Sequence, residues 1–70
     1  MKMTLKAARV NRGFTQKEAA VLLDISEATI SNYERGISSP DVGVLKRIEA
    51  LYEIQYNDIV FLSLKSNLIV

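Results

Sequence analysis

The sequence predicts an all-α fold, a compact bundle of five short helices followed by a short apolar C-terminal tail. Three observations predict it. Side chains that cap helix starts recur at Thr4, Thr15, Ser26 and Ser39, while Gly13 and Gly36 stand where two helices should end. Between those marks apolar residues recur three and four apart, the spacing that gives a helix one buried face. The third observation is size: 70 residues, 49% of them apolar and none of them Cys, make one small core with no disulfide to reinforce it.

The helices are predicted over about 4–12, 15–23, 26–35, 40–52 and 56–63, within a single domain covering 1–70. In the first, Thr4 caps, Leu5 and Ala8 face inward, Gly13 terminates, and Phe14 docks into the core. The second opens on a capping box, Thr15 with Glu18 three residues on. Ala19, Ala20, Leu22 and Leu23 form its inward stripe, and the small Ala20 admits a close neighbour. Asp24 sits where the chain must turn, and Ile25 plugs the core after it. Ser26 caps the third helix, which puts Glu27, Ala28, Ser31, Asn32 and Arg35 mainly on one face and Ile30 and Tyr33 on the other. Gly36 closes it at positive φ. The fourth is predicted to start with Ser39 as cap, Pro40 in first position and Asp41 in the first turn. Its inner stripe is Val42, Leu45, Ile48 and Tyr52, with Gly43 costing about 1 kcal/mol against Ala. Ile54 is a buried connector, and the fifth helix offers Ile59, Val60 and Leu62 for burial. In the tail, Leu64, Leu68, Ile69 and Val70 are too apolar for a disordered segment. They either pack on the chain's own core or form a dimer surface, through the fifth helix or a short paired strand at 67–70.

Composition removes several function classes. Without His or Cys there is no basis for a zinc site or a His general base, and no cofactor is expected. A nucleophile would have to be Ser31, Ser63 or a similar hydroxyl with no base placed to activate it, so the chain is not expected to be an enzyme. No long apolar run follows Lys2, so no signal peptide is expected, and no stretch approaches the roughly 20 apolar residues of a membrane span. A cytoplasmic chain is expected. Formal net charge is +1: residues 1–36 hold six cations against four anions, and residues 37–70 three against four. The asymmetry favours an anionic partner for the first half, with few phosphates neutralised and a shallow salt dependence.

Residues 15–36, TQKEAAVLLDISEATISNYERG, describe two short helices joined by a tight turn, the second bearing exposed polar side chains: a helix-turn-helix. The stretch resembles the DNA-binding domains of the phage lambda repressor/Cro superfamily, the Xre-type helix-turn-helix family. The residues that carry the resemblance are Thr15 and Gln16 with Ala20, then Ile25, Ser26, Thr29, Ile30 and Ser31, then Tyr33, Glu34, Arg35 and Gly36. It extends from about Leu5 to about Leu62. One departure is Asp24, where the family usually has Gly; Asp tolerates the left-handed conformation better than most residues.

The resemblance implies a lambda repressor-like domain that binds double-stranded DNA as a two-fold pair, acting as a transcriptional regulator and most simply a repressor. It implies a structural ion pair between Arg9 and Glu34, the alternative for Arg9 being a solvated charge. It also implies that Gln16 holds a DNA phosphate at the start of the second helix. Lys17 beside it, Thr29, Arg35 and Ser38 in the loop 37–39 complete the expected backbone contacts. With the third helix in the major groove, base reading falls to Ser26, Glu27, Ala28, Ser31 and Asn32. Glu27 either accepts from a cytosine amino group or stabilises the helix N-terminus; Asn32 pairs with adenine; Ala28 touches a thymine methyl. Tyr33 is expected in the core with its hydroxyl free for a phosphate. The expected partner besides DNA is a second copy, joined through the fifth helix and the tail. The rival is an antitoxin-like or other protein-interaction module on the same fold, served by the apolar tail.

Overall fold

Each of the four α-helices starts on a side-chain cap and ends on a left-handed residue. The computed structural model describes residues 1–62. Helix α1 (Leu5–Asn11) starts at Thr4, whose Oγ1 accepts from the Ala7 N–H at 3.1 Å. Helix α2 (Gln16–Leu23) starts on the expected capping box: Thr15 Oγ1 accepts from the Glu18 N–H at 3.0 Å, and Glu18 Oε1 from the Thr15 N–H at 2.9 Å. Helix α3 (Glu27–Glu34) starts at Ser26, which accepts from the Thr29 N–H at 3.0 Å. Helix α4 (Val42–Tyr52) starts at Asp41, whose Oδ1 accepts from the Val44 N–H at 2.9 Å. The expected start at Ser39 is thereby corrected. Two caps compete there, and a carboxylate is the stronger acceptor at the positive end of a helix. Pro40 then precedes the cap instead of opening the helix, and Gly43 falls in the first turn.

The endings repeat one motif. Gly13, Asp24, Gly36 and Glu53 have φ of 82°, 59°, 76° and 53°. The N–H of the next residue reaches back five residues each time: Phe14 to Arg9 O at 3.2 Å, Ile25 to Ala20 O at 3.0 Å, Ile37 to Asn32 O at 2.9 Å and Ile54 to Glu49 O at 3.2 Å. This is the Schellman closure, and the residue after the left-handed position is apolar in all four cases. Phe14, Ile25 and Ile54 turn onto the core, whereas Ile37 stays 49% exposed.

The core draws on every helix: Leu5 and Ala8, then Ala19, Ala20 and Leu23, then Ile30, then Val44, Ile48 and Tyr52, with Ile59 beneath. Two expected core residues lie outside it. Val42 is exposed because a helix starting at Asp41 turns 44, 48 and 52 inward, with Leu45 and Leu51 at the flank. Leu22 is exposed because it lies roughly 110° round α2 from the centre of the stripe formed by Ala19, Ala20 and Leu23.

The fifth helix is also corrected. A 3-10 turn at Tyr56–Asp58 leads into a strand, β2 (Ile59–Val60), which pairs in parallel with β1 (Met3–Thr4), Met3 opposite Ile59 and Thr4 opposite Val60. The segment is too short to hold a helix by itself, Ile59 and Val60 are β-branched, and β1 offers them a free edge. Ile59 is buried, while Val60 and Leu62 are exposed. Lys2 Nζ donates to Asn57 O at 3.1 Å across the same junction. The helical class holds, with four α-helices and a two-strand clasp among the described residues. The expected roles for Leu64, Leu68, Ile69, Val70 and the strand at 67–70 lie outside the described residues.

Arg9 is the buried charge in this core. Its Nε donates to Glu34 Oε2 at 2.7 Å, its Nη2 to Glu34 Oε1 at 3.2 Å and its Nη1 to Phe14 O at 2.8 Å. The expected Arg9–Glu34 ion pair therefore joins α1 to the end of α3, with both side chains under a tenth exposed. The bond to Glu34 outweighs the cost of burial and holds the guanidinium above its ordinary range. Close by, burial pushes the Tyr52 hydroxyl up to about 12, with the Glu34 charge adding to the effect and Arg9 opposing it.

Two stability measurements check this account. Asp24→Gly relieves a left-handed L-residue against the greater freedom of an unfolded Gly, so it should raise stability by about 0.5–1 kcal/mol. Gly36→Ala should lower it by about 1 kcal/mol or more; urea midpoints at constant slope give both. For Tyr52, the unfolded phenol ionises near pH 10 and the folded one near 12. The stabilisation is present below pH 10 and is lost as pH rises to 12, up to about 2–3 kcal/mol. Tyr52→Phe should remove that loss from the alkaline limb, and an unchanged limb would count against the buried phenol.

Candidate nucleic-acid interface

The turn between α2 and α3 is made by Asp24 in the left-handed region, and the cap at Ser26 starts α3 two residues later. Arg47 on α4 donates through Nε to Leu23 O at 3.2 Å, closing the end of α2 from outside the motif. Ala19 and Ala20 are buried and small, which admits α3 against α2. Ile30 is 2% exposed and Tyr33 packs at the edge of the core, so the inner face of α3 is the expected one.

The outer face of α3 carries the expected polar set. Glu27, Ala28 and Arg35 are exposed; Ser31 and Asn32 are half-buried. Ser26 is exposed but engaged. Besides its cap, its Oγ lies 2.7 Å from Thr29 Oγ1, so the two hydroxyls share one hydrogen bond. Thr29 is half-buried, and its N–H and hydroxyl both bond to Ser26 in the first turn. Glu27 lies in that turn, where the helix dipole favours its carboxylate. Past the helix, the carbonyl of Asn32 accepts from Ile37 N–H at 2.9 Å and Ser38 N–H at 3.4 Å, which pins the loop holding the exposed Ser38 beside α3.

Gln16 and Lys17 occupy the first two positions of α2, where backbone N–H groups precede the helix's own ladder. Lys17 is exposed. Gln16 is half-buried, and its Nε2 donates to Glu34 Oε1 at 3.0 Å. The start of α2 is thus tied to the end of α3 by the carboxylate that also holds Arg9. This bond is not legible in the sequence, because its partners lie eighteen residues apart on different helices. The expected phosphate role of Gln16 and the expected pairing of Glu34 with Arg9 come separately from the resemblance, and neither implies a bond between Gln16 and Glu34.

Among the described residues no three His, Cys, Asp or Glu side chains group as a metal would need. No helix there is long and apolar enough to cross a membrane. A shallow apolar depression on the outer side of α2 is lined by Phe14, Lys17, Glu18, Val21 and Leu22.

The HTH-type transcriptional regulator ImmR of Bacillus subtilis (strain 168) is 46% identical to this chain over 50 residues, which cover 71% of the chain and 39% of that protein. The chain thus spans about two fifths of the length of the curated relative it matches. Residues 5–59 match the helix-turn-helix family. That match runs from the start of α1 to the buried Ile59 and takes in every α-helix of the fold, so the chain belongs to the helix-turn-helix family, of the Xre type its sequence resembles.

Proposed function

We propose that the chain is the sequence-specific DNA-binding domain of a transcriptional regulator, acting as a repressor, with α3 in the major groove of double-stranded DNA. The observation that carries this reading is the outer face of α3: a row of short polar side chains on a helix whose other side is locked into the core. Membership of the family supports it, as does the similarity to a named transcriptional regulator.

Contacts divide into those that position and those that read. Gln16, Lys17, Thr29, Arg35 and Ser38 hold the backbone. Ser26, Glu27, Ala28, Ser31 and Asn32 face base edges, with Ser26 retaining one hydroxyl valence beyond its cap and its bond to Thr29. A second copy completes the operator contact, so that two α3 helices enter the groove about 34 Å apart. The exposed Tyr56, Val60, Phe61 and Leu62 are the apolar surface available for that pairing among the described residues.

A second reading has its own observation. Val21 is 75% and Leu22 55% exposed on the outer side of α2, an apolar surface that DNA binding does not use and a protein-interaction module would.

Selection from a random duplex library separates the two. An enriched inverted repeat with half-sites one turn apart, bound by two chains, is expected; absence of enrichment at low and moderate salt would move the weight to protein interaction. On the selected site, Asn32→Ala should cost roughly 1–3 kcal/mol and little on random DNA. Equal losses on both would make Asn32 a positioning residue.

A further inference from the structure

We infer that Glu34 is a positioning residue for DNA binding, acting through Gln16: its carboxylate fixes the side-chain amide of Gln16 so that an N–H, and not the oxygen, is presented to a phosphate. The inference rests on the proposed reading of Gln16 as a phosphate contact.

The argument is one of donors and acceptors. The Glu34 side chain is 5% exposed and lies against Arg9, and an ionised carboxylate only accepts hydrogen bonds. Its Oε2 accepts from Arg9 Nε at 2.7 Å, and its Oε1 from Arg9 Nη2 at 3.2 Å and Gln16 Nε2 at 3.0 Å. The amide atom facing Glu34 must therefore be the nitrogen, because the oxygen would set two acceptors against each other. One N–H of that nitrogen is spent on Glu34 and one remains. It sits at the first position of α2, where the backbone N–H groups of Gln16 and Lys17 also lie ahead of the ladder. A phosphate there meets donors only. A free Gln side chain would sample both orientations, and in one of them its oxygen would oppose the anion. Glu34 removes that orientation in advance. Arg9 pairs with the same carboxylate, and that pair braces α1 against α3.

The test is a double-mutant cycle on the folded chain, with a short mixed-sequence DNA duplex at low salt as the probe, since a phosphate contact is independent of sequence. Circular dichroism first establishes that each variant is folded at the temperature used. Gln16→Ala should weaken binding roughly three- to tenfold. Glu34→Gln, whose amide accepts either orientation of its neighbour, should weaken it by a smaller factor, up to about twofold, the share lost when both orientations of Gln16 are equally populated. The double variant should bind no worse than Gln16→Ala alone. Arg9→Lys weakens the same brace but keeps the carboxylate, so it should lower the melting temperature and leave affinity near that of the parent.

The outcomes separate the two claims. If Gln16→Ala binds like the parent, the reading of Gln16 fails. If Gln16→Ala weakens binding but the Glu34→Gln loss is absent, adds in full to it, or is matched by Arg9→Lys, Gln16 keeps its role and the positioning role of Glu34 is overturned. Should Glu34→Gln not fold, the unaltered protein decides. Its Gln16 side-chain amide should show one proton shifted and protected before DNA is added and the other moving on titration with the duplex. An amide indistinguishable from a solvated Gln would overturn the inference.

Discussion

The fold depends on one buried ion pair. Moving Arg9 and Glu34 out of water costs several kcal/mol per charge, and their attraction offsets that only if every remaining donor and acceptor is satisfied. Here they are. Glu34 accepts three N–H bonds on its two oxygens, and the third nitrogen of Arg9 reaches the carbonyl of Phe14. Among the described residues no buried side-chain nitrogen or oxygen lacks a partner. The network joins α1, the connection after it, the start of α2 and the end of α3. Removing either charge would strand the other, at roughly 3–5 kcal/mol, against a total stability of about 5–15 kcal/mol for a typical domain. The two-pronged geometry also resists rotation of α3 about its axis, and so fixes which side chains of that helix face outward.

The left-handed closures do the complementary work of keeping the connections short. Two fall on Gly, where positive φ has little steric cost, and two on Asp24 and Glu53, where it has one. Each of the strained closures carries a bond from a distant part of the chain. Arg47 on α4 holds the carbonyl of Leu23 just before Asp24, and Arg12 after α1 pairs with Glu53 at 2.6 Å. The second is exposed and contributes little. The first is partly buried and sits at the turn of the helix-turn-helix itself, so α4 takes part in holding the angle between α2 and α3.

What was legible in the sequence was local. The cap at Thr4, the box at Thr15 and Glu18, the cap at Ser26 and the left-handed Asp24 and Gly36 each concern side chains within a few residues of the backbone they satisfy. What was not legible required comparison between places. Ser39 and Asp41 both belong to residue types that cap helices well, so residue type alone does not say which of them the helix starts on. Ile59 and Val60 read as helix because their partner, Met3–Thr4, lies more than fifty residues away. Leu22 read as core because its one-residue offset from Leu23 moves it off a narrow stripe. At the interface, the outward set on α3 followed from periodicity, the Arg9–Glu34 pair from resemblance, and the bond from Gln16 to Glu34 from neither.

The low net charge gives these details their weight. A chain of formal charge +1, with Lys17 and Arg35 as the cations on its proposed DNA face and Glu27 among them, releases few counterions on binding. Non-specific affinity is then weak, and the binding energy must come from hydrogen bonds with fixed direction. Backbone N–H groups at the start of α2 and an amide held by Glu34 supply such bonds without adding a full charge. Direction costs nothing at the moment of binding only if it is already set, and in this fold it is set by the same carboxylate that holds the helices together. On the proposed reading of Gln16, stability and recognition are coupled at Glu34, one carboxylate that serves both the core and the DNA face.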